Sequence, residues 1–241
     1  MLWLFAPYID SDVYEIRGED AVHISKSLRM KPGEELTVCT ADGVEHLCKI
    51  TDITHAEVAV EVISSKTSEQ EPSVEVTLYQ ALTKNDKMDF IIQKAVELGV
   101  SRIVPFVSSR CISRPDSKSA DKKSERWNKI ARQAAMQSRR AKIPQVCEVI
   151  GFSQAAEQCK EYDSALIYYE LGGEKTGTYI DSQTKQIAVF VGCEGGFEPD
   201  EVDTIVKNGG HIATLGKRIL RAETAPLAAL SVIMYMTGNM G

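Results

Sequence analysis

Two stretches of this 241-residue chain place glycine, arginine and carboxylate side chains directly behind apolar runs. The run IAVFVG leads into GCEGGFEPDEV (residues 192–202), and HIATLG leads into LGKRILRAETAPLAAL (residues 215–230). Each run is strand-like and each loop precedes a helix-like segment. Both loops therefore fall at carboxyl ends of strands, where open α/β sheets bind ligands. The adjacent Gly195 and Gly196 let a ligand approach the backbone closely. The second loop adds Arg218, Arg221, Glu223 and Thr224. Arginine stays protonated, so it can hold and stabilise an anion but cannot accept a proton. A glutamate can accept one where burial raises its pKa. Gly195-Gly196 alone reads equally well as a tight turn; the two loops together describe a ligand site able to stabilise developing negative charge.

Several other chemistries are excluded by the same kind of reading. LGGEKTG (171–177) lacks the glycine before Lys175 that a phosphate-binding P-loop needs, and no G-x-G-x-x-G follows a strand. No serine elbow or H-E-x-x-H is present. Of the four histidines, His23, His46 and His55 fall in the first third of the chain, and His211 opens a strand, where a structural role is expected. The six cysteines (Cys39, Cys48, Cys111, Cys147, Cys159, Cys193) show no zinc spacing, so no metal is expected and reduced thiols are. The N-terminus is apolar only to Pro7 and then meets Asp10 and Asp12. That is too short for a secretory signal, and no window approaches a membrane span. A cytoplasmic location without membrane contact is expected.

The elements that must carry the two loops divide by charge. The net charge of −6 averages residues 1–72, with 6 basic and 14 acidic residues, and residues 73–241, with 22 and 20. Within the second part, residues 102–142 hold 12 basic and 3 acidic residues, net +9, a candidate phosphate-binding surface. The polar stretch 64–73, with Pro72, reads as the linker. In the first part, EELTVCTADGVEHLCKITDI alternates around Asp42-Gly43, a hairpin signal, and AEVAVEVI follows as a further strand. A small antiparallel barrel fits. The second part alternates strands (74–82, 102–107, 164–170, 187–192, 211–216) with helices (86–98, 124–138, 199–208, 224–236). Such alternation implies a parallel sheet covered on both faces. On the first of these helices, Lys94 and Glu97 are spaced to pair.

The segments KNDKMDFIIQKAVELGVSRIVPF (84–106), ERWNKIARQAAMQSRRAKIP (125–144), GCEGGFEPDE (192–201) and LGKRILRAETAPLAAL (215–230) together resemble the RsmE family. These are the small-subunit ribosomal RNA methyltransferases of the SPOUT, or α/β-knot, class. HISKSLRMKPGEEL (23–36) is similar to the family's N-terminal stretch, so the likeness runs in order along essentially the whole chain. Two positions depart from the family pattern: Cys193 stands where proline is usual, and Met136 where an acid is frequent.

The resemblance implies a PUA-like, RNA-binding β-barrel over residues 1–72. Over 73–241 it implies a SPOUT methyltransferase domain with a deep trefoil knot and a homodimer interface. It also implies S-adenosylmethionine as cofactor and N3 of a uridine in the decoding region of 16S rRNA, within the small ribosomal subunit, as methyl acceptor. The cofactor seat falls on Leu171, Gly192, Glu194, Gly195, Gly196, Leu215, Gly216, Ile219, Leu220 and Thr224. Arg221 is assigned to the uridine, stabilising the anion left when N3 loses its proton. Glu194 or Glu223 is assigned to accept that proton if burial raises its pKa; the alternative is a helix-start carboxylate beside N–H groups. RNA contacts fall on Arg29, Lys31, Lys84, Arg110, Arg139 and Arg140. A ribose 2′-O-methyltransferase of the same fold, and a ribosome-assembly protein without catalysis, are the competing readings.

Overall fold

The computed structural model describes residues 1–54, 56–84 and 87–240. His55, Asn85 and Asp86, where a helix was expected to start, lie outside them. The chain forms two compact units: Met1–Glu71 with Ala135–Ile143, and Pro72–Ala134 with Pro144–Gly241.

The first unit is one five-stranded sheet. Its strands are β1 (Leu2–Ala6), β2 (Val13–Arg17), β3 (Glu35–Thr40), β4 (Val44–Ile53) and β5 (Glu57–Thr67), in the order β1-β3-β4-β5-β2. A one-turn helix α1 (Gly18–Val22) runs into a π-helical stretch, His23–Leu28, between β2 and β3. The expected hairpin is β3–β4: Gly43, at φ +80°, donates to the Thr40 carbonyl at 2.9 Å, and Thr40 Oγ1 donates to Asp42 Oδ1 at 2.6 Å. The unit is not wholly antiparallel, because β1 pairs with β3 in parallel. One core draws Leu4, Ile16, Ile24, Leu36, Val38, Ile50, Val58 and Val60 from all five strands and the helical stretch.

Residues 135–143 read by charge with the second region but group with the first unit. Glu71 Oε1 accepts the Arg140 Nε–H at 3.2 Å and the Ala141 N–H at 2.9 Å, and the Trp3 indole donates to the Arg140 carbonyl at 3.0 Å. Met136 packs against this unit's core.

The second unit is built on a parallel sheet. Its elements are β6 (Glu75–Ala81), α2 (Lys87–Glu97), β7 (Arg102–Val107), α3 (Ser117–Gln137), β8 (Gln145–Val146), β9 (Ile150–Gly151), α4 (Phe152–Glu157), β10 (Ser164–Tyr168), β11 (Glu174–Lys175), β12 (Gln186–Val191), α5 (Pro199–Lys207), β13 (His211–Thr214) and α6 (Ala225–Met236). The sheet order is β11-β13-β10-β12-β6-β7-β8, with β9 also on β7, and every pairing is parallel. The centre is apolar on both faces, as a covered parallel sheet requires: β10 and residues Val76–Ala81 of β6 are buried throughout.

Local signals set the helix ends. In α2, Met88, Ile91, Ile92, Ala95 and Val96 are buried, and Gly99 (φ +92°) ends the helix as Val100 N–H returns to the Ala95 carbonyl. Lys94 and Glu97 pair as expected, at 2.8 Å. The helix expected at 124–138 starts a full two turns earlier, because Asp116 Oδ1 accepts the Ser119 N–H at 2.8 Å and caps a start at Ser117.

The candidate active site

Three neighbouring strands end at one cavity. β10 lies between β12 and β13, although β12 and β13 follow one another in the chain. Successive strands placed on opposite sides of a third make a switch point, and the loops leaving it open a crevice. The crevice here is a cavity of about 460 Å³, within the size range of small-molecule sites. Its walls are Tyr168–Glu170 from β10, residues 191–197 after β12 and residues 214–222 after β13, with Lys87 of α2 and Ala225 of α6.

The loop after β12 is tied on both sides. Gly196 N–H donates to the Cys193 carbonyl at 3.0 Å, closing a turn with Gly196 at φ +67°. Gly196 needs glycine for its φ of +67°, and a Cβ on Gly192 would stand 3.0 Å from the Gly196 backbone, so the turn is tight there. The fully buried Gln80 donates its amide to the Gly192 carbonyl at 3.3 Å. Arg110 grips the other end: Nε and Nη2 donate to the Glu198 carboxylate at 2.8 and 2.9 Å, and Nη1 to the Gly195 carbonyl at 2.7 Å. Glu198 and Glu201 form a capping box at the start of α5, with Pro199 in its first turn. Glu201 is buried, and its second oxygen accepts the Ser109 N–H at 2.9 Å.

Electrostatics at the cavity centre on Lys87. Its ammonium lies 3.3 Å from Glu194 Oε1 and 3.0 Å from Glu223 Oε2. Burial pushes the Glu194 pKa up. Its own N–H, the Lys84 N–H (3.2 Å from Oε1) and the Lys87 ammonium together outweigh burial, leaving the carboxyl below its ordinary range. Glu223 is likewise held low, by its own N–H, then Lys87, with Arg221 adding to the effect. The two carboxylates in turn hold the Lys87 pKa up. A raised pKa, the condition attached to either glutamate as proton acceptor, is therefore not met: donors surround both groups and favour the charged form.

An RNA methyltransferase domain family matches residues 69–234, and an RNA methyltransferase PUA domain family matches residues 16–63. The ribosomal RNA small subunit methyltransferase E of Bacillus subtilis is 35% identical over 235 residues, covering 95% of this chain and 92% of that protein. The chain belongs to the ribosomal RNA small subunit methyltransferase E family. It is thus an RNA methyltransferase with a PUA-like domain. Among solved structures, the family member from Neisseria gonorrhoeae bound to S-adenosyl methionine superposes with a TM-score of 0.89 at 33% identity, covering 98% of each chain. A putative methyltransferase from Legionella pneumophila, in complex with the bound cofactor SAM, gives 0.89 at 29% identity over 98% of this chain and 96% of that one.

Most of the cofactor residues implied by the RsmE resemblance line the cavity: Gly192, Glu194, Gly195, Gly196, Leu215, Gly216, Ile219 and Leu220, with Arg221 beside them. Two do not. Leu171 is 78% exposed; β10 ends at Tyr168, Tyr169 and Glu170 take the wall, and Gly172 and Gly173 turn the chain away at φ +143° and +132°. Thr224 occupies the N-cap of α6, exposed and outside the lining, while Ala225 reaches the cavity.

The basic residues divide more sharply. Arg29, Lys31, Lys84 and Arg139 are exposed, and Arg29 and Arg139 take left-handed φ of +53° and +57°. Arg110 is committed to Glu198 and Gly195 and serves the loop. Arg140 is a correction: it is 4% exposed and bound to Glu71, so its charge is spent inside the first unit rather than offered to phosphate. The main residues that sequence reasoning passed over are Lys87 and Glu170. Lys87 stood inside the segment that carried the resemblance, but its two partners lie more than a hundred residues away. Among the described residues no group could hold a metal ion, and no helix is long and apolar enough to cross a membrane.

Proposed function

We propose that this chain transfers the methyl group of S-adenosylmethionine to N3 of a uridine in the decoding region of 16S rRNA, as a cytoplasmic homodimer acting on the small ribosomal subunit. The observation that carries the reading is the convergence of three strand-end loops on one cavity with Arg221 in its wall.

The residues present fit that cofactor. The glycine turn after β12 exposes backbone N–H and C=O groups to a polar ring edge, and Leu215, Ile219 and Leu220 supply apolar cover for its faces. Glu170 and Glu194 place negative charge in the lining, which suits a ligand carrying a sulfonium and an ammonium group. The cofactor supplies an activated methyl group, so the protein's tasks are positioning and control of the N3 proton. Arg221, permanently charged, stabilises the uridine anion at O2 or O4 and so favours loss of that proton. Glu194 and Glu223, both held ionised, anchor Lys87 and the two loops.

Arg29, Lys31 and Lys84, with Arg139, supply phosphate contacts, joined by Lys118, Lys122 and Lys123 on α3. Exposed apolar side chains on α6, namely Val232, Tyr235 and Met236, support pairing of two copies. The trefoil knot goes with the same proposal and rests on the family resemblance.

The deciding assay supplies labelled S-adenosylmethionine with small subunits, or 16S rRNA, isolated from cells lacking this enzyme, followed by mass spectrometry of the nucleosides. Labelled 3-methyluridine is expected. Label on a ribose 2′-oxygen would sink the N3 reading, and absence of transfer to either substrate would favour the non-catalytic one.

A further inference from the structure

Two of the six cysteines meet behind the cofactor cavity. Cys193 lines the cavity and is 5% exposed; Cys111, in the loop after β7, is 4% exposed. The two thiols flank a single hydroxyl, that of Ser108. Ser108 joins them: its N–H lies 3.3 Å and its hydroxyl oxygen 3.2 Å from Cys111 Sγ, and the hydroxyl is 4.0 Å from Cys193 Sγ. The Cys193 S–H also points to the Gly196 carbonyl at 4.0 Å, across the turn that forms the seat. The methyl transfer proposed above uses neither thiol.

The pair is chemically set apart from the other cysteines. Burial pushes Cys39 and Cys48 up to about 11 and Cys159 up to about 12, and raises Cys147 as well. Cys111 moves the other way, because Cys193 and Ser108 donate to its sulfur against the opposing effect of burial. Cys193 is raised by the same contact. Thiolate character concentrated on one of two sulfurs that share a hydroxyl partner is an arrangement that favours disulfide formation.

We propose that Cys111 and Cys193 form a reversible disulfide with hydrogen peroxide as oxidant, and that this bond weakens cofactor binding. Peroxide reaches the Cys193 sulfur through the cavity. Cys193 passes its proton to Cys111, its sulfur attacks one peroxide oxygen, the O–O bond breaks, and the departing hydroxide leaves as water with that proton. The Cys111 thiolate then attacks the Cys193 sulfenic sulfur. The S–O bond breaks, and the second hydroxide leaves as water with a proton from solvent, replacing the one Cys111 released on ionising. Two electrons pass from the two sulfurs to one peroxide, giving one disulfide and two waters.

The bond brings the two sulfurs to about 2.05 Å. It also removes the S–H that faces the Gly196 carbonyl. The shift acts on the turn that forms the seat, where Gly196 N–H donates to the Cys193 carbonyl and Gly196 holds φ +67°. The disulfide rests on the thiol geometry alone; its effect on the cofactor rests on the seat proposed above.

The test treats the full-length protein with peroxide, alkylates remaining thiols and maps linked peptides by mass spectrometry, beside calorimetric titration with S-adenosylmethionine. Expected are a Cys111–Cys193 linkage and an affinity at least about tenfold weaker, both reversed by dithiothreitol. Cys111→Ser should keep the reduced protein's affinity and lose its response to peroxide, and bound S-adenosylmethionine should slow the linkage by covering Cys193. Oxidation that leaves the two peptides unlinked overturns the proposal, as does a linkage that leaves affinity unchanged. Failure of the reduced wild-type protein to bind S-adenosylmethionine would overturn the cofactor seat instead, leaving the linkage to be judged on the peptides.

Discussion

Arginine side chains stay protonated in proteins, so the role proposed for Arg221 is geometric as well as electrostatic. A guanidinium presents a planar fork to two acceptors, and a lysine ammonium presents a single point charge. Arg221→Lys should therefore lower kcat by roughly a hundredfold, the scale for removing one preorganised donor at a developing anion. The KM for S-adenosylmethionine should stay within about twofold, the pattern for a group that acts in the transition state alone. Steady-state methyl transfer with melting curves checks this, and near-normal turnover in a folded variant would remove Arg221 from the chemistry. Lys87 differs, because it ties Glu194 to Glu223 and so joins the loop after β12 to the segment before α6. Lys87→Met should raise the KM for S-adenosylmethionine with a smaller change in kcat, and Lys87→Arg should restore most of the loss. The cluster also has a pH signature. Glu194 and Glu223 are held low in the folded protein, so their stabilising effect is present above the unfolded carboxylate pKa and is lost as pH falls through the folded values. In Lys87→Met the loss of melting temperature on acidification through the carboxylate range should shrink relative to wild type. An unchanged slope would mean the cluster is electrostatically idle.

At the scale of elements, the apolar runs at β6, β7, β10 and β12 were legible because strands buried on both faces carry continuous Val, Ile, Leu and Ala. α5 was legible from Pro199 and from the glycines Gly209 and Gly210. β1 and β2 were not, since five residues beside Pro7 or two aspartates show no sustained period. The early start of α3 turns on one capping contact from Asp116. The positions of both glycine loops could be read from strand order along the chain, but the closure of the loop after β12 could not. It depends on Glu201, which accepts the N–H of Glu198 within its own capping box and the N–H of Ser109, 92 residues away. Glu201→Gln keeps the size of the side chain but turns one acceptor into a donor, setting an N–H against an N–H in a buried place. The expected cost is about 1–3 kcal/mol, the penalty for stranding a buried polar group. Thermal unfolding should show it as a melting point several degrees lower, with weaker S-adenosylmethionine binding. A variant as stable as wild type would show that α5 starts correctly without this contact.

For the whole molecule, the net charge of −6 resolves by unit rather than by chain. Arg139, Arg140 and Lys142 belong to the first unit, which then holds 9 basic and 14 acidic residues, net −5 rather than −8. Arg140 is neutralised by Glu71, Arg110 by Glu198, and Arg126 is paired with Asp89. The run of net +9 thus offers phosphate fewer charges than its count suggests. Lys118 and Lys122 are exposed on α3, while Lys123 lies over the Trp127 ring at 5.9 Å. Each lysine that contacts a phosphate should contribute about 0.7–0.9 to the slope of log affinity against log salt. Replacing Lys118, Lys122 and Lys123 with glutamine should lower that slope by roughly 2 to 3 if all three touch RNA. The pair Arg29→Gln and Lys31→Gln should lower it by roughly 1.5 if the acidic first unit binds through a local patch. Arg140→Gln should leave the slope alone and lower the melting temperature instead, because it strands Glu71. Filter binding across a salt series reads all three. A flat wild-type slope would remove phosphate contact from both surfaces, whereas a slope that responds only to the α3 lysines would assign RNA binding to the second unit.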